Sequence, residues 1–195
     1  TAAFRAAPQM ALCLTYTDKS GEAHCIESDK TWRTESSPLL FDDYRFGEIY
    51  DGRLEMAGWN NIGFDDSTWK FAERAPQPRG EKRLCTAEPI GVVRELKPVS
   101  VTKTEKGYLY DFGVNTAGVC RLCVHGEPDQ RIELQHGERL KGGLPDMENI
   151  WFKREHWARD LEYVHKDVYV CRGDGEEVYT PTFTYHGFRY VLVSG

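Results

Sequence analysis

Residues able to do chemistry are scattered along this chain, and their spacing decides which chemistry is open to them. His136 and Glu138 stand two apart in "LQHGERL", which puts both on one face of a strand. An acid–base or metal pair is conceivable there, but a cross-strand hydrogen bond fits the spacing better. His186, ahead of Gly187 in the last apolar run, reads as a structural residue at a bend. Cys120 and Cys123 form a CxxC in "GVCRLCVHG", inside a strand-like run with no second pair after it. Zinc wants four ligands converging from turns, so this pair reads as structural. The "RGD" at Arg172 to Asp174 sits in "CRGDGEE", where a tight turn already accounts for the glycine and the aspartate.

The elements that must carry these residues are strands. Short runs rich in β-branched and aromatic residues recur at Ile49–Met56, Ile90–Val93, Val99–Lys103, Tyr108–Phe112, Val119–Val124, Arg131–Gln135, Val168–Cys171 and Phe183–Val193, with turn signals between them. In the last run Phe188, Tyr190 and Leu192 are expected on one face, and Arg189, Val191 and Val193 on the other. A helical period is visible only across "MENIWFKREHWARDLEYV" (147–164), and "DDSTW" offers an aspartate cap for one helical turn. Regular short strands without crossover helices predict an all-β, antiparallel β-sandwich of jelly-roll, galactose-binding-like type. "MALCLTYTDKSGEAHCIESDKTW" predicts an N-terminal hairpin turning at "DKSG", and a lone hairpin is marginal in water. Residues 1–45 are therefore expected to be the tail of a preceding β-sandwich, and 46–195 a jelly-roll module.

Composition narrows the function. Hydrophobic residues at 40% and aromatics at 12% exclude a disordered chain. A net charge of −6 opposes a nucleic-acid or anionic-membrane surface, and the basic loop 74–83 has no interleaved aromatics. No run approaches the ~18 apolar residues of a membrane span. Six scattered cysteines do not make a disulfide scaffold, so free thiols and a cytoplasmic home are expected. The start at Thr1 without methionine suggests a piece of a longer polypeptide.

Several segments, in order and over nearly the whole chain, carry a resemblance: "GEIYDGRLEMAGWNNIGFDDSTW" (47–69), "VRELKPVSVT" (93–102), "YLYDFGVNTAGVCRLCVHG" (108–126), "IELQHGERL" (132–140) and "EEVYTPTFTYHGFRYVLV" (176–193). Together they resemble the region before the catalytic domain in bacterial α-L-rhamnosidases of glycoside hydrolase family 78. The resemblance implies β-sandwich modules followed by an (α/α)6 catalytic barrel, acting on terminal α-L-rhamnose of glycans or glycosides by inversion. Inversion needs two carboxyls about 6.5–9.5 Å apart around a sugar. The carboxylates here show no such pairing, so this chain alone is expected not to be a catalyst. Its own job is expected to be carbohydrate binding or support of the barrel, with a purely structural module as the alternative.

Some modules of that family resemble calcium-dependent rhamnose-binding modules. Calcium takes six to eight oxygens from carboxylates, amides and carbonyls. The implied candidates are Asp111 and Asn115 in "DFGVNTAG" and Glu148 with Asn149 in "GGLPDMENI". Asn115, Glu148 and Asn149 would also meet the sugar. Trp151, Phe152 and Trp157 could stack on a pyranose, cover the barrel, or join the core. The family's "FGQNxxGW" reads "FGVNTAGV" here, with Val114 and Val119 in place of an amide and a tryptophan.

Overall fold

A computed structural model describes residues 9–76, 80, 81, 83–149 and 164–195. In chain order its strands are β1 (Cys13–Thr17), β2 (Ala23–Glu27), β3 (Arg33–Thr34), β4 (Leu39–Asp43), β5 (Gly47–Asp51), β6 (Lys70–Phe71), β7 (Ser100–Thr104), β8 (Gly107–Gly118), β9 (Leu122–His125), β10 (Arg131–Gly137), β11 (Leu140–Lys141), β12 (Leu144–Pro145), β13 (Lys166–Val170), β14 (Glu176–Tyr179) and β15 (His186–Ser194). The only helical elements among the described residues are 3-10 turns at Gly52–Leu54 and Met147–Asn149. The chain is nearly all-β, as its periodicity predicts. Two compact units form, one from 1–36 with 57–89, the other from 37–56 with 90–195.

The smaller unit contains the expected hairpin. β1 and β2 pair antiparallel, with Leu14 opposite Ile26 and Thr15 opposite Cys25. Asp18 builds the turn, its carboxylate accepting from the Ser20 and Glu22 N–H groups and the Ser20 hydroxyl. β3 pairs with β6, and the Arg33 guanidinium lies 3.8 Å over the Phe71 ring while donating to the Trp69 carbonyl.

The larger unit holds a seven-stranded sheet in the order β4-β5-β13-β10-β15-β8-β7, and β9 pairs with β14 as a separate ribbon. Between them Ile132, Leu134, Tyr169, Tyr179, Phe188 and Val191 form the core, joined by Leu122 and Val124 of β9. Each such side chain removed from water contributes about 1.5–3 kcal/mol. One pair departs from the antiparallel expectation. β5 runs parallel to β13, with Tyr50 beside Tyr169.

Other local expectations change as well: the run Ile49–Met56 is strand only to Asp51, where β5 gives way to the 3-10 turn at Gly52–Leu54. The faces of β15 do not alternate as expected, because its register with β8 shifts between Phe188 and Tyr190. Phe188 and Val191 reach the core and Val193 packs on it, so the extra residue at Arg189 turns the strand over. Arg189 is held there by two bonds to Asp111, at 2.8 and 2.9 Å, and Asp111 also accepts from the Gly113 N–H. The run Ile90–Val93 forms no strand; Ile90, Val92 and Val93 are exposed and β propensity without a pairing partner leaves them irregular. Most of the 147–164 stretch lies outside the described residues.

The cysteines separate by environment. Cys13, Cys25, Cys85 and Cys123 are exposed, while Cys120 and Cys171 are buried. Burial pushes the Cys120 thiol up to about 12 and raises Cys171 as well. Iodoacetamide at pH 8 is expected to label the four exposed thiols and spare the two buried ones until denaturant is added. Peptide mapping checks this, and native-state labelling of Cys120 would contradict the packing of the core around it.

Candidate functional site

Among the described residues, three carboxylates of the larger unit are no more than 1% exposed. Glu48 on β5 accepts from the Tyr179 hydroxyl and from the Thr182 and Phe183 N–H groups, all at 3.0 Å. Glu177 on β14 accepts from the Tyr169 hydroxyl at 2.8 Å and from the Arg172 and Gly173 N–H groups at 2.8 and 3.0 Å. The "RGD" turn is thus pinned from beneath by Glu177. These contacts satisfy buried acceptors and orphan N–H groups together, which is a stabilising role.

The third carboxylate, Asp167, differs in its company. It lies on β13 beside β10, and β15 flanks β10 on the other side, so Asp167, His136 and His186 share the core-facing surface at one end of the sandwich. All three side chains are fully buried. Asp167 Oδ1 accepts from the Glu48 N–H at 3.1 Å and meets His186 Nε2 at 2.9 Å. The His136 and His186 rings stack with centroids 4.1 Å apart, and Phe188 closes the edge of His136. His136 Nδ1 lies 3.2 Å from the His165 carbonyl, an acceptor, so Nδ1 carries the proton and Nε2 a lone pair. That Nε2 faces Asp167 Oδ2 at 3.8 Å. Burial pushes His136 down to about 3 and His165 to about 4, so both are neutral at pH 7. His136 Nε2, His165 Nδ1, Asp167 Oδ2 and His186 Nδ1 are buried without a hydrogen-bond partner among the described residues. The sequence pattern showed only His136 as one of a possible cross-strand pair and His186 as a bend residue.

The expected sugar and calcium residues fall elsewhere in the same unit. Asp111 is engaged by Arg189, which holds its carboxyl below the usual range. Asn115, at the end of β8, donates to Glu138 at 3.1 Å. Glu148 is exposed and ion-paired with Lys141 at 2.7 Å. Asn149 ends the second 3-10 turn, and Trp151, Phe152 and Trp157 lie outside the described residues. The structure brings Asn115 to Glu138, one residue before Arg139, whose partner Asp146 sits two residues before Glu148. Three groups among the described residues have ligand atoms close enough for one metal ion: His136, Asp167 and His186; Cys13, Cys25 and Glu27; and Asp18, Glu22 and His24.

A second surface feature concerns the edge of the sheet. β4 is an edge strand whose Leu40 and Phe41, with Tyr44 beyond it, are exposed. Phe183 and Tyr185 are exposed on the segment leading into β15, which is tied to β4 by the bond from the Thr184 hydroxyl to the Asp43 carbonyl at 3.2 Å.

Comparison with known proteins supplies relatives for this arrangement. Residues 1–94 match the family model "Alpha-L-rhamnosidase N-terminal domain" and residues 101–195 match "Bacterial alpha-L-rhamnosidase concanavalin-like domain". An α-L-rhamnosidase of Streptomyces avermitilis is 36% identical over 182 residues, covering 92% of this chain and 17% of that protein. The crystal structure of Streptomyces avermitilis α-L-rhamnosidase complexed with L-rhamnose superimposes with a TM-score of 0.84 at 33% identity, over 94% of this chain and 17% of that one. An α-L-rhamnosidase from Dictyoglumus thermophilum gives a TM-score of 0.82 at 32% identity, over 95% and 20% of the two chains. The chain thus spans about a fifth of the length of these relatives.

Proposed function

The chain belongs to the α-L-rhamnosidase family, and from this premise we propose that it is a non-catalytic β-sandwich region of a glycoside hydrolase, whose own task is to support the (α/α)6 catalytic barrel. The complete enzyme would release L-rhamnose from rhamnose-containing glycans or glycosides. The observation that carries the supporting role is the apolar edge of the large sheet. Leu40, Phe41, Tyr44, Phe183 and Tyr185 present large hydrophobic side chains around a strand edge that is unpaired among the described residues. Such an edge is an aggregation hazard unless something covers it. The relatives are about five times as long as this chain, which supports a covering surface supplied by the rest of a longer polypeptide.

The test uses the full-length polypeptide carrying Phe183→Asp with Tyr185→Asp. Both side chains are exposed here, so the isolated 195-residue chain should keep its melting temperature. The full-length enzyme should instead lose several degrees and hydrolyse an aryl α-L-rhamnoside less durably on warming. Unchanged behaviour in both would remove the case for a covered edge.

A second possibility is rhamnose binding with calcium at the β10–β12 end of the large unit. The approach of Asn115 to Glu138, with Glu148 close in the same segment, favours it. Calcium at Asp111 or Glu148 would have to displace Arg189 or Lys141, which is why support is the preferred role. Calorimetric titration with L-rhamnose, first in calcium and then in EDTA, separates the two. Heat that disappears in EDTA would favour the calcium site; no heat in either buffer would favour support.

A further inference from the structure

We propose that His136, Asp167 and His186 form a buried binding site for one divalent transition-metal ion of the zinc class, which fastens β10, β13 and β15 at the end of the core. The donor atoms of the three residues lie within 4.8 Å of one another. Two lone pairs face each other across this cluster, His136 Nε2 and Asp167 Oδ2, 3.8 Å apart and both buried without a hydrogen-bond partner among the described residues. In a dry interior two such acceptors repel unless something positive lies between them.

The charge count points the same way. The Asp167 carboxylate is fully buried, and its contacts are the Glu48 N–H and two imidazoles, with no lysine or arginine among them. Buried charges are otherwise paired or coordinate metals. Two imidazoles and one carboxylate suit zinc, cobalt or nickel, and leave a fourth tetrahedral position for water. Zinc bonds of about 2.0–2.2 Å to nitrogen and carboxylate oxygen require the two facing donors to approach by a few tenths of an ångström. The His165 carbonyl fixes the His136 tautomer from behind, as second partners of metal-binding histidines do. His186 now donates from Nε2 to Asp167; it joins the ion as the Nδ1–H tautomer, and the proton count is unchanged.

A fully buried site exchanges slowly, so the ion must be supplied during folding. The 195-residue chain is unfolded in guanidinium with EDTA and refolded with Zn2+ or with EDTA alone. The expected result is about one zinc ion per chain, retained through desalting into EDTA, together with a melting temperature several degrees above that of the metal-free refold. His136→Gln and Asp167→Asn should both abolish the retained ion, while Cys13→Ser with Cys25→Ser keeps it. Should the buried variants not fold, the His24→Ala chain refolded with Co2+ decides: visible d–d bands without a thiolate charge-transfer band are expected. Zinc below about a tenth of an equivalent, zinc that survives His136→Gln in a folded protein, or a strong thiolate band would each overturn the site.

Discussion

Glu48→Ala is expected to cost the larger unit about 3–5 kcal/mol, and Glu48→Gln about 1 kcal/mol. The carboxylate is 1% exposed, and three donors converge on it: the Tyr179 hydroxyl and the N–H groups of Thr182 and Phe183. Alanine leaves all three buried or half-buried without an acceptor, and opens a cavity the size of a glutamate side chain beside Tyr179. Glutamine keeps a carbonyl oxygen for the two N–H groups, while the tyrosine hydroxyl can rotate to accept from its amide. Equilibrium urea unfolding followed by circular dichroism measures both. A loss below about 1 kcal/mol for the alanine variant would mean that the 182–183 segment finds other acceptors and that Glu48 does not anchor it.

Gly47→Ala should be comparably damaging, at about 3 kcal/mol or more, for a reason unrelated to polarity. Gly47 has φ +128°, and a Cβ there would stand 2.0 Å from the Lys166 carbonyl oxygen and 2.6 Å from its carbon. The obstacle is backbone, held in place by the bond from the Lys166 N–H to the Phe46 carbonyl at 2.9 Å. Relief would require β5 to move away from β13, breaking the parallel pairs from Ile49 to Asp51. Gly21, at φ +89° with nothing near its missing Cβ, is the control. Gly21→Ala should cost only the ~1–2 kcal/mol of an unfavourable conformation. Equal losses at the two sites would show that conformation alone, and not close approach, explains Gly47.

What could be seen beforehand followed from local rules. Alternation of apolar residues announced the strands, and "DKSG" announced the first hairpin, because each depends on residues a few positions apart. Pairings across the chain left no such trace. β5 and β13 are joined in parallel, and the only helical elements between them among the described residues are two 3-10 turns. The turnover of β15 arises from Arg189 reaching Asp111, two residues 78 apart in sequence. His136, Asp167 and His186 looked ordinary for the same cause: they meet only because β13, β10 and β15 lie side by side, an order set by long-range pairing. Ile90 to Val93 shows the converse, strand-forming residues that end up exposed for want of a neighbour. The family resemblance was legible because it rests on motif order, which survives without knowledge of contacts.

The parallel junction also has a timetable. The Glu48 N–H bonds to an aspartate 119 residues further along, so its partner leaves the ribosome well after β5 does. At about 5–20 residues per second, β5 waits roughly 6–24 s before β13 is made. Closing so long a loop defers its reward, since many local pairs can form first. During that interval β4 and β5 are a hairpin without a sheet, with Leu40 and Phe41 open to any other strand in the cell. The central pairings of this sheet therefore wait for strands made well after β4 and β5, and slower synthesis is expected to lengthen the exposure of Leu40 and Phe41.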